Sequence, residues 1–257
     1  MSTDDVALAT HLVTEAAALA ARMRAEGLDV RRKTSVSDVV TAADHAAEDL
    51  VVETLRRERP TDGLLGEEGT DIAGASGRRW VIDPVDGTYN FATGSDYWCS
   101  AVALTDGDDL VLGAVAHHRD GVWVGGPGLA TTHDGRPVPP IGERDVDQVG
   151  VATYLHPGDI AGPPVRDAFL RAAARPATIR MLGSGSMDFV GVTTGRLGGW
   201  FQHSVLPWDL LPGTALVRGA GGVVASAEAG GVTWSVAGSR PVVTALTAAL
   251  TTGPSAS

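Results

Sequence analysis

Basic residues are scarce in this chain, and lysine is almost missing. The 257 residues carry 20 Lys and Arg against 31 Asp and Glu, a formal net charge of −11 at pH 7. Lys33 is the single lysine. A balance of this sign argues against nonspecific contact with nucleic acid or an anionic membrane. Cysteine is nearly absent too: Cys99 stands alone, so an intrachain disulfide is excluded. It sits in an apolar, strand-like run and reads as a small buried residue rather than a nucleophile. No apolar run approaches the roughly 18 residues that span a membrane. Met1 to Asp5 are polar and acidic, without the basic start and apolar core of a secretory signal. A cytoplasmic setting without membrane contact is the expectation. Aromatics, at 5%, offer no obvious anchor for a partner surface.

What is present is an ordinary globular composition, 44% hydrophobic and 20% charged, with ample capacity for a core. Residues 6 to 25 carry Leu8, Leu12, Ala16 and Leu19 at helical spacing. Thr41 to about Arg59 reads as a second helix, opened by a capping box, Thr41-x-x-Asp44. Strands are expected near 64–65, 79–83, 99–105, 111–117 and 121–125, with a hairpin turn at Gly107 to Asp109. A stretch rich in Gly, Pro and Asp follows Gly128. It places a boundary between a half at 1–135 and a half at 136–257, which together form one compact unit. In the second half, 148–155, 178–183, 199–203, 223–225 and 232–236 read as strands. Residues 188–194, 207–220 and 241–250 read as helices. Helices and strands in alternating groups predict an α+β or layered α/β fold.

The densest chemistry lies in Trp80-Val81-Ile82-Asp83-Pro84-Val85-Asp86-Gly87-Thr88. An apolar strand ends on two carboxylates three residues apart, and a Gly-Thr turn follows. Asp, Pro and Gly are ordinary turn formers. Yet two carboxylates this close repel unless a cation lies between them, and the turn offers free N–H groups for an anion. Hard-cation ligands beside anion-binding amides suggest metal-assisted phosphate chemistry. Two further segments bear on the choice. Gly66-Glu67-Glu68 is either a solvated acidic pair or part of the site. Asp209, in Pro207-Trp208-Asp209, is either a first-turn helix acid or a ligand.

Together with Ser37-Asp38-Val39-Val40-Thr41-Ala42-Ala43-Asp44, these segments resemble the inositol monophosphatase family in content and order. The family pattern is G-E-E, then D-P-[IVL]-D-G-T-x-N-F, then W-D, and it spans roughly residues 6 to 225 here. The resemblance implies a stacked α-β-α-β-α sandwich, usually a homodimer. It also implies hydrolysis of a small phosphate monoester by a water activated on two or three Mg²⁺ ions. Under it, Glu67, Asp83 and the Val85 carbonyl hold one ion; Asp83, Asp86 and Asp209 hold another. Asp44 and Thr88 orient and deprotonate the water, with Glu67 counted among the catalytic residues, while Gly87 and Thr88 grip the phosphate. Asp44 can serve in the capping box as well. Asp86, Gly185, Gln202 and Asp209 complete the substrate contacts. Lys33 falls where the family has a mobile-loop lysine, and Glu68 has no ligand role. An all-oxygen donor set without clustered His or Cys suits Mg²⁺ rather than Zn²⁺.

The chain departs from the family at two positions, and the second bears on substrate. Tyr89 replaces a small residue or threonine, expected as a packing variation. Gln202 replaces a glutamate that binds sugar hydroxyls in inositol-specific members; an amide loses the charge and adds a donor. An inositol-1-phosphate-like monoester is the first expectation and histidinol phosphate the second. Sugar bisphosphates and 3′-phosphonucleotides are other family substrates, but no aromatic or basic patch for a base is evident. A noncatalytic regulatory protein on this fold is the distant alternative. It should lack a metal ligand or show a basic face, and this chain does neither.

Overall fold

The computed structural model describes residues 3–26, 30–32 and 39–252. Lys33 and Asp38 lie outside the described residues, as does the Thr41 side chain on which the capping box rests. Two helices come first, α1 (Thr3–Glu26) and α2 (Ala42–Glu58), separated by the short paired strands β1 (Val30–Arg32) and β2 (Val39–Thr41). Then come β3 (Gly63–Gly66), β4 (Asp71–Ile72), β5 (Arg78–Asp86), the short helix α3 (Thr88–Thr93), β6 (Cys99–Asp106), β7 (Asp109–His117), β8 (Gly121–Gly126), β9 (Leu129–His133) and β10 (Arg136–Pro137). The strands of this part form one eight-stranded sheet in the order β10-β9-β8-β7-β6-β5-β3-β4. Only the β3–β5 pair in it is parallel.

The remainder is β11 (Gly150–Thr153), α4 (Pro163–Ala173), β12 (Thr178–Arg180), α5 (Gly185–Thr193), β13 (Gly199–His203), α6 (Pro207–Gly219), β14 (Val223–Ala229), β15 (Val232–Gly238) and α7 (Arg240–Thr251). Its five-stranded sheet runs β12-β11-β13-β15-β14. Helices α1 and α2 cover one face of the first sheet, α5 and α6 lie between the sheets, and α4 and α7 cover the outer face of the second. This is the α-β-α-β-α layering that the resemblance implied.

The side chains explain the layers. Trp80, Ile82, Val102, Leu104 and Leu112 meet Leu12, Ala16, Val51 and Leu55 on the helical side. Ala101, Val115 and Trp123 meet Met187, Val190 and Leu216 on the other. With both faces covered, the central strands read as continuous apolar runs rather than alternating ones. In the second sheet, Phe201, Trp234 and Val236 pack on Phe169, Leu246 and Leu250. Trp200 and Ala237 face Phe189 and Val217. Helix α6 seats against the first sheet at Gly113, where a Cβ would stand 2.4 Å from the Pro212 carbonyl oxygen.

Three expectations are corrected. By length and composition alone, Asp4–Glu26 is apolar enough to cross a membrane, with a mean hydropathy of 1.2. Its alanines raise that value, but the helix is one-sided: Ala9, Leu12, Val13, Ala16 and Ala17 are buried, while Glu15 and Thr14 face out. The Gly/Pro-rich stretch after Gly128 still forms the edge strands β9 and β10. Helix α4 escaped the periodicity because only Ala168, Phe169 and Ala172 of it are buried.

Candidate active site

The metal-site expectation turns on how β5 ends. Side chains alternate along a strand, so residues three apart face opposite ways. Here β5 does not stop at Asp83 but runs to Asp86. Asp83 pairs with Ala101 and Asp86 with Cys99, three residues against two. That extra residue is a β-bulge beside Pro84, and a bulge re-aims the side chain that follows it. Asp83 and Asp86 thus converge instead of opposing each other. Asp209, in the first turn of α6, joins them, and one carboxylate oxygen from each lies within 4.8 Å of the others.

Asp83 is 1% exposed, and among the described residues no N–H or hydroxyl donates to either of its oxygens. The one group placed to share a proton with it is the Glu67 carboxyl. Glu67 follows β3 directly, and its N–H donates to the Ile82 carbonyl at 3.2 Å, which fixes it beside Asp83. Burial, and then Asp209 and Glu68, push the Glu67 carboxyl up to about 8. Burial and then Asp86 push Asp209 up to about 7. Burial and then Glu67 hold Asp83 well above the usual carboxylate range. Without a cation this cluster holds protons. Buried oxygens with no donor, all from carboxylates, fit a hard divalent metal.

Asp86 has a second task. Its Oδ1 accepts the Gly185 N–H at 3.1 Å, and its Oδ2 accepts the Ser186 N–H, so it caps α5 from the other half of the chain. Burial raises its carboxyl, and these bonds oppose the rise. Asn90 ties the same loop down, donating to the Leu182 carbonyl at 2.7 Å and the Tyr97 carbonyl at 2.8 Å. Gly87 adopts φ 95°, where a Cβ would stand 3.0 Å from the Tyr97 carbonyl oxygen. The Thr88 hydroxyl donates to the Val85 carbonyl at 3.0 Å, leaving that oxygen one lone pair.

A cavity of about 430 Å³ opens beside the cluster. Asp86, Gly87, Thr88, Gly185, Gln202 and Asp209, the expected substrate contacts, all line it, as does Glu67. Asp44 lies in the first turn of α2, 1% exposed. His203 is turned from the cavity, packing on Trp234 and facing Asp159 at 3.4 Å, as alternation from Gln202 requires. Tyr89 is not packed away: it is 48% exposed and forms part of the wall with Tyr154 and Trp200. The wall therefore has the aromatic surface that the sequence did not reveal, drawn from residues far apart in the chain.

Sequence reasoning also missed Glu48. This helix acid is 4% exposed and accepts the Glu68 N–H at 2.8 Å, the Thr70 N–H at 3.1 Å and the Thr70 hydroxyl at 2.7 Å. It shapes the turn that carries Glu67. Tyr97 and Asp188 were missed as well; the Tyr97 hydroxyl donates to Asp188 Oδ1 at 2.8 Å, and Asp188 lines the cavity.

The model of the inositol monophosphatase family matches residues 3–253. An inositol-1-monophosphatase of Rhizobium meliloti is 33% identical over 76% of this chain and 74% of its own. A histidinol-phosphatase of Mycobacterium tuberculosis is 32% identical over 89% of both. Among solved structures, the extragenic suppressor protein suhB of Bartonella henselae superposes with a TM-score of 0.88 at 26% identity, covering 98% of this chain and 100% of that one. The inositol monophosphatase of Anabaena superposes at 0.82 with 25% identity, covering 96% and 95%. The sequence match takes in every acidic segment that meets at the cavity. The chain belongs to the inositol monophosphatase family, as a metal-dependent hydrolase of phosphate monoesters.

Proposed function

We propose that this protein hydrolyses a small phosphate monoester with Mg²⁺ as its metal, and that an inositol-1-phosphate-like compound is the first substrate to test. The observation that carries the reading is Asp83, whose two buried oxygens receive no N–H or hydroxyl from the described residues while Asp86 and Asp209 crowd beside them. Glu67, Asp83, the Val85 carbonyl, Asp86 and Asp209 would hold two or three ions. Bound there, Mg²⁺ supplies charge for the phosphate oxygens, an acidified water and stabilisation of the leaving alkoxide. Asp44 and Thr88 orient the attacking water and take its proton. The Thr88 hydroxyl already spends its own proton on Val85, so its lone pairs remain free to accept. The Gly87 and Thr88 N–H groups hold the phosphate, while Gly185 and Gln202 contact the alcohol half.

Gln202 is the observation that favours histidinol phosphate as the second reading, since it stands where inositol-specific members carry a glutamate. The halves at 1–135 and 136–257 act as one catalytic unit, joined where Asp86 caps α5. A homodimer in the cytoplasm, without nucleic-acid or membrane partners, completes the proposal; analytical ultracentrifugation checks the dimer.

The deciding assay is phosphate release with Mg²⁺ and with EDTA, across myo-inositol 1-phosphate, histidinol phosphate, fructose 1,6-bisphosphate and 3′-phosphoadenosine 5′-phosphate. The proposal expects Mg²⁺-dependent release, highest in kcat/KM for one of the first two. Release unaffected by EDTA would contradict it.

A further inference from the structure

Five carboxylates reach the cavity wall: Glu67, Glu68, Asp86, Asp188 and Asp209. Among the described residues, no lysine, arginine or histidine does. Glu67, Asp86 and Asp209 belong to the proposed metal set. Glu68 faces the His45 ring at 3.5 Å. That leaves Asp188, which has neither a metal role nor a base beside it. It sits in the first turn of α5 and is 3% exposed. Its Oδ1 accepts the Tyr97 hydroxyl at 2.8 Å, the one side-chain hydrogen bond that Asp188 makes among the described residues. Burial holds its carboxyl well above the usual range. An ionised Asp188 needs a further donor that the described residues do not supply.

We propose that Asp188, held in place by Tyr97, determines specificity: its Oδ2 accepts from a protonated amine or ring N–H on the alcohol half of the substrate. The contact lets the site take phosphate monoesters of amino alcohols, the second reading above, beside those of bare polyols, and adds nothing for an alcohol bearing a second phosphate. This rests on the cavity being the monoester site. Three features of the wall agree. Among the described residues, no base lines the wall to meet a second phosphate. Gln202 provides a neutral acceptor where it lines the cavity. Tyr89, which is 48% exposed, and the half-buried Tyr154 offer ring faces to a cationic or planar group.

The chemistry separates an amine from a hydroxyl. An ammonium only donates, whereas a hydroxyl donates or accepts. Asp188→Asn keeps the shape, and its Oδ1 can keep the Tyr97 bond, but it turns an NH₂ donor toward the cavity. A hydroxyl reorients to suit that donor; an ammonium has no way to do so. The test is kcat/KM with Mg²⁺ for wild type, Asp188→Asn and Tyr97→Phe, on histidinol phosphate, myo-inositol 1-phosphate and p-nitrophenyl phosphate. Asp188→Asn should lower kcat/KM for histidinol phosphate about tenfold or more, chiefly through KM, as expected for one lost bond to a charged group. The other two substrates should change less than about threefold. Tyr97→Phe should shift the same ratio in the same direction by less. If Asp188→Asn does not fold, Tyr97→Phe decides: a loss confined to the amine substrate supports the proposal. Equal losses on all three substrates, or an unchanged ratio, would overturn it. A wild type inactive on all three would overturn the monoester reading beneath it.

Discussion

Asp83 and Glu48 are both buried acids, and they differ in what satisfies them. Glu48 meets three protein donors in the turn from 68 to 70. Asp83 meets no such donor among the described residues and has only the Glu67 carboxyl to share a proton with. The first is a builder of the site and the second is left for a ligand to complete. Glu48→Ala should therefore lower the unfolding free energy by about 3 kcal/mol, because it strands buried donors. Glu48→Gln, which keeps one acceptor oxygen, should cost less. Urea unfolding of the two variants measures the difference, and Glu48→Ala should also lose activity as the Glu67 turn loosens. The proposed metal ligands were legible in the sequence because each stands in a recognisable segment. Glu48 was not, since a Glu-Asp pair in the middle of a helix looks like a solvated one. Asp188 was hidden for a similar reason: its meaning comes from Tyr97, 91 residues away.

At the scale of elements, the bulge in β5 and the seat of α6 bring the ligands together. The acids at 83 and 86 were readable as a pair, but the chain alone did not disclose that a register shift turns both to one side. Helix α6 carries Asp209 to the cluster and rests against Gly113. Gly113→Ala should push α6 off the sheet, destabilising the fold by about 1–3 kcal/mol. It should weaken Mg²⁺ binding too, although it touches no ligand. Thermal unfolding and isothermal titration with Mg²⁺ report the two effects separately. The long helices and central strands were legible from periodicity and apolar runs. Helix α4 was not: Ala168, Phe169 and Ala172 share one face, but the helix is short and that stripe holds only three buried residues in eleven.

The whole molecule joins two sheets around one buried set of negative charges. Glu67 is raised to about 8 and Asp209 to about 7. For a carboxyl raised in the folded state, the folded protein binds more protons than the unfolded one between the two pKa values. Stability from this source is full below the unfolded value, about 4, and is lost as pH climbs to the folded values. Metal-free protein should thus melt at progressively lower temperature from about pH 5 to pH 8. Saturating Mg²⁺ should raise the melting temperature most at pH 8, where the cluster is ionised. Asp83→Asn should flatten the metal-free slope. The layering was legible only through the family resemblance, since alternating helices and strands fit several layered folds.

The central claim is that the converging carboxylates are the catalytic metal site, with Asp83 shared between ions. The most direct test is phosphate release by Asp83→Asn beside the wild type at saturating Mg²⁺, with folding checked by circular dichroism. The account predicts a folded variant with turnover abolished. A folded Asp83→Asn protein that turns over like the wild type would contradict it.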